Sequence, residues 1–157
     1  MIFVTVGSQK FQFNRLLKEL DILVEKNGID EDIFAQTGYS DYKPKNYKYK
    51  NFLDRDEFSH IMKKSDKIIT HGGTGAIVGA VKQGKKVIAV PRLKEYGEHV
   101  DDHQLQIIDE FEKMKFIEAV KEIDELEDAI KETESHEFKK YVSNTNNIIQ
   151  SIDNFIN

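Results

Sequence analysis

Residues 67–78 read KIITHGGTGAIV and decide the fold of this chain of 157 residues. The stretch begins with a short β-branched run that ends at His71, continues through three glycines and Thr74, and then shows helical spacing. A β-branched run followed by clustered glycines and a helical pattern is typical of a strand, a tight turn and the start of a helix. The stretch therefore predicts a β–turn–α unit in the middle of the chain.

The turn of this unit has the chemistry of an anion site. The first N–H groups of a helix have no partner within the helix, and the helix dipole adds partial positive charge there. Gly72, Gly73 and Gly75 let a ligand approach the backbone because they carry no Cβ, and His71 and Thr74 add side-chain donors. We interpret these five residues as a diphosphate-binding turn. The alternative is a glycine turn with a purely structural role.

Two common nucleotide-binding motifs do not fit this turn. The spacing Gly73-x-Gly75-x-x-x-Gly79 is one residue longer than G-x-G-x-x-G, and it follows an internal strand instead of the first one. No Gly-Lys-Ser/Thr follows the glycines, as a P-loop requires. The spacing therefore disfavours both a dinucleotide-binding dehydrogenase and a P-loop kinase.

The remaining sequence alternates between two kinds of segment. Short β-branched runs predict strands over residues 2–6, 32–36, 67–70, 86–90 and 115–118. Apolar residues three and four apart predict helices around residues 16–24, 58–62, 105–111 and 118–134, the last with a solvated face. The polar segment 39–49 predicts a surface loop that leads to a short edge strand. This order predicts an α/β fold, a single Rossmann-like domain over residues 1–157 with a parallel sheet flanked by helices.

Composition narrows the class of protein. Hydrophobic residues make up 39% and charged residues 32% of the chain, which is ordinary for a soluble globular domain. The net charge of −5 argues against nucleic acid as a partner, because binding to phosphate backbones needs a basic surface. Cysteine is absent, which excludes disulfides and thiolate metal sites. The chain begins like a core strand and contains no apolar run of the ~20 residues that span a bilayer, so we expect a soluble, cytoplasmic protein.

Two further loops carry candidate binding residues. Gly7 and Ser8 follow the first predicted strand, where open α/β sheets bind ligands. Downstream, His99 and His103 are four residues apart and would share a helix face near Asp102, an arrangement that could ligate zinc. The segment lacks the glutamate of H-E-x-x-H, so we favour a polar contact with a ligand and predict no metal site. The acidic residues here are equally suited to capping the next helix.

Three motifs in order resemble the donor-binding domain of GT-B glycosyltransferases: VTVGSQKFQFNRLL, THGGTGAI and GKKVIAVPRLKEYGEHVDDHQLQI. The resemblance runs from Ile2 to about Ile117. It is greatest to the short, stand-alone form of this domain. That form is the catalytic subunit of the two-subunit N-acetylglucosaminyltransferase of the dolichol pathway, with a bacterial counterpart in exopolysaccharide and capsule synthesis. The expected fold is thus half of a GT-B fold.

The resemblance implies roles for the motif residues. The loop with Gly7 and Ser8 and the turn from His71 to Gly75 would hold the donor diphosphate. The Arg92 region would lie beside the nucleotide base. The donor sugar would be faced by Asp102, His103 and Gln104, with Gln104 the expected direct contact. The resemblance implies a UDP-sugar donor and requires neither a metal nor another cofactor.

One position departs from the family pattern. Related full-length transferases often carry a glutamate in the helix after the glycine turn, where it holds the ribose hydroxyls. Counting back from Gly84 puts Gly79 at that place. The ribose must then be held by another group.

The resemblance also implies a partner. A GT-B enzyme closes a cleft between two domains of similar size, and this chain accommodates one, so we expect the acceptor half to come from a membrane-anchored glycosyltransferase subunit that presents a lipid-linked saccharide. This partner would recruit the chain to the inner face of the membrane. A helix predicted at about residues 137–156 carries an apolar stripe that could dock on it, or pack on its own domain.

The expected function is the donor-binding catalytic subunit of a split, inverting glycosyltransferase acting on a polyprenyl-diphosphate-linked saccharide in exopolysaccharide or capsule synthesis. No residue is a convincing general base, which we expect on the partner, with His71 and His103 as the remaining candidates. The alternatives are a non-catalytic accessory subunit that activates a partner transferase, and a sugar-nucleotide epimerase of related fold. Because an epimerase also needs a second domain, it is the weaker alternative.

Overall fold

The computed structural model describes residues 1–138. Six strands are formed by Ile2–Thr5 (β1), Ile33–Gln36 (β2), Lys48–Lys50 (β3), Lys67–His71 (β4), Lys86–Val90 (β5) and Glu118–Ala119 (β6). Five α-helices are formed by Asn14–Glu25 (α1), Arg55–Lys64 (α2), Thr74–Lys82 (α3), His103–Lys113 (α4) and Leu126–Glu132 (α5). The helix predicted at about residues 137–156, with its apolar stripe, lies outside the described residues apart from positions 137 and 138.

The six strands form one parallel sheet in the order β3-β2-β1-β4-β5-β6. This confirms the predicted α/β fold with a parallel sheet. The expected short edge strand is β3, which begins at Lys48, within the segment 39–49 that was predicted as a loop. The strand order reverses between β1 and β4, which are neighbours in the sheet although far apart in the chain. Such a switch point leaves a crevice at the carboxyl ends of the two strands.

Alternate residues of the strands face two separate hydrophobic cores. Val4 of β1 and Ile69 of β4 face the core that α1 and α5 cover, whereas Phe3 and Ile68 face the core beneath α2, α3 and α4. All four side chains are fully buried. Helices thus cover both faces of the sheet, and the switch-point crevice opens at its edge between the two layers.

Two predicted elements are wrong in detail. The last strand begins at Glu118, not at Lys115, because Lys115 adopts a left-handed conformation with φ 65° and ends α4 in a turn. The predicted helix over 118–134 is divided into β6, a 3₁₀ turn and α5. One side of this segment faces solvent, and Leu126 and Ile130 on its other side are buried in the core.

No helix within residues 1–138 is long and apolar enough to span a membrane.

Candidate functional site

The candidate site lies at the switch point of the sheet. Thr5 of β1 is in register with Thr70 of β4, so the loop after β1 and the turn after β4 leave the sheet side by side. Gly7 lies in the first of these loops and His71 is the last residue of β4. The structure therefore brings together the two stretches that the sequence predicts to hold a diphosphate.

The helix after β4 begins without a side-chain cap. Gly73 is the N-cap residue of α3, and the first helical bond is donated by the Ile77 N–H to the Gly73 carbonyl. The N–H groups of Thr74, Gly75 and Ala76 therefore lie ahead of the helical hydrogen-bond ladder. A Cβ placed on Gly75 would meet no atom within 4 Å, so the space over this helix end is open to a ligand.

The His71 ring fills the gap between the two loops. A Cβ on Gly7 would lie 2.7 Å from Nε2 of His71, and a Cβ on Gly73 would lie 2.3 Å from its Cε1. Gly7 also has a left-handed φ of 77°, which favours glycine. Both glycines are thus required by the ring, and its Cε1–Nε2 edge faces the space between them.

His71 is neutral at physiological pH. Burial lowers the pKa of His71 to about 4, and the nearby positive charge of Arg92 acts in the same direction. Only 7% of the residue is exposed. A neutral imidazole has one N–H donor, so this ring offers a hydrogen bond to an anion without a formal charge.

The buried side chain of Gln104 links the glycine turn to the residues after β5 through hydrogen bonds. Its side-chain Oε1 accepts hydrogen bonds from the N–H of Gly72 at 2.9 Å and from the N–H of Arg92 at 3.0 Å. Its Nε2 lies 3.4 Å from Nδ1 of His71. The amide is buried and these contacts occupy it. In the described residues the amide lies beneath the turn, and the expected contact between Gln104 and the donor sugar stays a prediction.

Arg92 is held by backbone carbonyls of two loops. Its guanidinium is fully buried and donates to the carbonyls of Val6, Phe11, Gln12 and Glu98. These contacts hold the Arg92 side chain in the interior, and the expected place of the Arg92 region beside the nucleotide base stays a prediction. Arg92 ties the loop after β1 to the loop after β5.

An ion pair that the sequence did not reveal supports the same loops. Arg15 of α1 contacts Glu98 through two hydrogen bonds, both at 3.0 Å, and Glu98 is fully buried. The Glu98 carboxylate also accepts a hydrogen bond from the Leu93 N–H at 3.0 Å. Such a bidentate pair fixes geometry as well as charge. Glu98 lies within the GEHVDDHQ motif, but nothing in its local pattern identifies Arg15 as its partner.

The start of α4 carries the remaining candidates. Asp102 and His103 are exposed near the site edge, and Asp102 accepts a hydrogen bond from the Lys94 N–H at 2.9 Å. His99 precedes the helix, so His99 and His103 do not share a helix face as the zinc alternative requires. Nδ1 of each ring instead approaches the Asp101 carboxylate, at 3.2 and 3.5 Å. No group of three or more metal-binding side chains occurs in the part of the chain that the structure describes.

A hollow of about 310 Å³ adjoins the turn and was not predicted from the sequence. It lies between the carboxyl ends of β1 and β2 and the first turns of α2 and α3, and its lining includes Ser8, Gln36, Arg55, Phe58 and Ala76. The buried Oε1 of Gln36 has no hydrogen-bond partner within the described residues. The hollow combines an aromatic wall with polar groups, as small-molecule sites do.

Comparisons with known proteins agree with this geometry. The model of the glycosyltransferase family 28 C-terminal domain matches residues 1–157. The chain is similar to the UDP-N-acetylglucosamine transferase subunit ALG13 of Kluyveromyces lactis, with 36% identity over 97 residues. The match covers 58% of this chain and 47% of the relative, so the chain spans about half the length of the curated relative it matches.

Solved glycosyltransferases share the fold. The glycosyltransferase of kitacinnamycin superposes with a TM-score of 0.64 at 16% identity, over 86% of this chain and 35% of that one. MurG of Acinetobacter baumannii superposes with a TM-score of 0.59 at 17% identity, over 96% of this chain and 49% of that one. At these identities the likeness shows the fold alone, and it confirms the expected GT-B architecture. With the family model matched along its whole length, this chain belongs to glycosyltransferase family 28, as a C-terminal domain of that family.

Proposed function

We propose that this chain is the donor-binding catalytic subunit of a split, inverting glycosyltransferase that transfers a sugar from a UDP-sugar to a polyprenyl-diphosphate-linked saccharide in exopolysaccharide or capsule synthesis. One observation carries the proposal. The uncapped start of α3, the Gly7 loop and the neutral His71 ring meet at the switch point of the sheet. This is a set of N–H donors around an open space, which suits a diphosphate.

The proposed donor lies across this edge. Its diphosphate contacts Gly7, Ser8 and the turn from His71 to Gly75. Its nucleoside enters the hollow beside Phe58, where Gln36 has an unused acceptor that can take an N–H or hydroxyl donor. The sugar extends in the other direction, toward the start of α4.

The sugar end of the proposed site is formed by the exposed side chains of Asp102 and His103. Asp102 is the N-cap residue of α4 and His103 is its first residue, and both follow the loop that Arg92 and Glu98 hold in place. A carboxylate and an imidazole together accept and donate hydrogen bonds, as the hydroxyl groups of a sugar require.

The proposed reaction is a single displacement at the anomeric carbon. An acceptor hydroxyl oxygen forms a bond to C1 while the bond between C1 and the β-phosphate oxygen breaks, and the nucleoside diphosphate leaves with that electron pair. The acceptor proton passes to a base, which we assign to the partner. Charge develops on the leaving diphosphate, where the N–H groups of α3 and His71 stabilise it.

We also propose that the acceptor half comes from a membrane-anchored partner subunit, which recruits this chain from the cytoplasm to the inner face of the membrane. The similarity to a protein named as a transferase subunit supports this assignment, although the match covers only part of that protein. The candidate site is open at the sheet edge, where an acceptor-binding domain would close over it.

A reconstituted transfer assay tests this proposal. The purified chain, membranes that contain a candidate membrane-anchored partner subunit, and a polyprenyl-diphosphate saccharide are mixed with a panel of UDP-sugars. Transfer is expected only when both proteins are present, and it should fall at least tenfold with Gly75→Ala but not with the control Gln106→Ala on the exposed face of α4. Full transfer with Gly75→Ala would assign catalysis to the partner and make this chain an accessory subunit.

A further inference from the structure

We propose that Gln104 is a positioning residue that fixes His71 as the tautomer with its proton on Nε2 and thereby directs a hydrogen-bond donor at the bound diphosphate. The part that concerns the diphosphate rests on the function proposed above. The part that concerns the tautomer is a property of the free protein.

The orientation of the Gln104 amide is set by two backbone groups. The N–H groups of Gly72 and Arg92 point at the same side-chain atom, at 2.9 and 3.0 Å. Both groups are donors only, so the atom between them must be the amide oxygen. A flipped amide would place its NH₂ group against two N–H groups in a buried site, at the cost of two lost hydrogen bonds.

The second step follows from this orientation. With its oxygen held by the backbone, Gln104 presents its NH₂ group to Nδ1 of His71 at 3.4 Å. An NH₂ group can only donate, so Nδ1 must accept and cannot carry a proton. The proton of the neutral ring then lies on Nε2. Protonating the ring fully would oppose the Gln104 NH₂ group and the charge of Arg92, which agrees with a ring that stays neutral.

The third step concerns where the proton points. The Nε2 edge of His71 faces Gly7 and Gly73, the two places where a Cβ would collide with the ring. No acceptor for Nε2 occurs among the described residues. Gln104 therefore covers the Nδ1 side of the ring, and the N–H donor at Nε2 points into the space between the two loops.

This arrangement explains why a buried amide lies beneath an anion site. A ring with the opposite tautomer would present a lone pair to the diphosphate, and two acceptors repel each other. The two backbone N–H groups fix the orientation of the Gln104 amide, and this orientation determines which nitrogen of His71 carries the proton.

Nitrogen-15 NMR of the histidine side chains tests the tautomer directly. A protonated and an unprotonated ring nitrogen have well-separated shifts, and His71 is assigned by the signal missing in a His71→Asn variant. The free wild-type protein at pH 7 should show Nε2 protonated and Nδ1 unprotonated. A protonated Nδ1 would overturn the proposal, and this measurement requires no variant at Gln104 to fold.

Two further experiments test whether Gln104 sets the tautomer of His71 and whether the Nε2 proton contacts the diphosphate. In Gln104→Glu the carboxylate accepts a hydrogen bond from the ring, so Nδ1 of His71 should become protonated. The control Gln106→Glu on the exposed face of α4 should leave Nδ1 unprotonated. An unprotonated Nδ1 in Gln104→Glu overturns the role of Gln104. Saturation of the wild type with UDP, but not with uridine, should shift the Nε2 proton and slow its exchange. An unchanged Nε2 proton in the UDP complex overturns the contact with the diphosphate. If UDP does not bind at all, the proposed function fails while the tautomer assignment stands.

Discussion

Gly72 and Gln104 approach each other so closely that a Cβ on Gly72 would lie 2.7 Å from Cβ of Gln104 and 3.0 Å from its backbone oxygen. The start of α4 therefore packs directly against the glycine turn. Gly75, three residues further on, has no atom within 4 Å of a Cβ in the same test. Two glycines of one motif thus lack a side chain for different reasons: Gly72 allows close packing of α4, and Gly75 leaves the start of α3 open.

Gly72→Ala should destabilise the protein. The new methyl group must displace α4 or the turn, and overpacking of this kind costs about 1–3 kcal/mol. Urea unfolding followed by circular dichroism measures the change. Gly79→Ala is the matched control, since Gly79 lies on an open face of α3 and alanine should raise helix stability there by about 0.5–1 kcal/mol. Equal stability of the two variants would mean that α4 does not press on the turn.

Gly75→Ala should separate binding from folding. The methyl group fits the free protein, so the free energy of unfolding should not decrease, but it occupies the space that a diphosphate needs above the start of α3. We expect UDP to bind at least about tenfold more weakly, measured by calorimetry, which is the effect of losing one charge-assisted hydrogen bond. Undiminished binding would move the diphosphate away from this helix end.

Arg92→Lys should destabilise the loops although it keeps the charge. The guanidinium serves four carbonyls at once, whereas an ammonium has three donors on a different geometry. Leaving buried carbonyls unpaired should cost about 2–4 kcal/mol in the free energy of unfolding. The same change at the exposed Arg55 should cost less than about 0.5 kcal/mol, and a similar loss at both positions would contradict the buried role of Arg92.

Stability should fall as the pH drops below 6.5. The pKa of His71 is lowered from its ordinary 6.5 to about 4 in the folded protein, so between these values the unfolded chain binds a proton that the folded chain does not. The contribution is complete above pH 6.5 and is lost toward pH 4, with a total on the order of 3 kcal/mol. Urea midpoints between pH 7.5 and 5 should show a steeper fall for wild type than for His71→Asn. A slope that is the same in wild type and His71→Asn would refute the buried neutral ring.

The fold follows from local patterns in the sequence. The runs at β1, β2, β4 and β5 are short and apolar except at their ends, as is typical of buried parallel strands. The intervening helices have regular apolar spacing. The start of the last strand was predicted too early because it depends on the left-handed turn at Lys115. Lysine has no preference for that conformation, so the sequence does not indicate the turn.

The site was predicted only in part, for a physical reason. The backbone of the glycine turn is a local feature, so its place at the sheet edge follows from the strand before it. The roles of Arg92 and Gln104 depend on burial by distant parts of the chain. Arginine and glutamine are usually exposed, so nothing in the local sequence indicated that both side chains are buried. The hollow beside Phe58 is formed by four elements and has no motif of its own.

The central claim is that the switch point of this sheet binds a nucleoside diphosphate through its phosphates. Calorimetric titration of the wild-type protein with UDP and with uridine, at the same pH and salt concentration, tests it most directly. We expect UDP to bind at least a hundredfold more tightly than uridine, since the α3 N-terminus, the Gly7 loop and His71 act on the diphosphate alone. Equal affinity for the two ligands, or no binding of UDP, would contradict it.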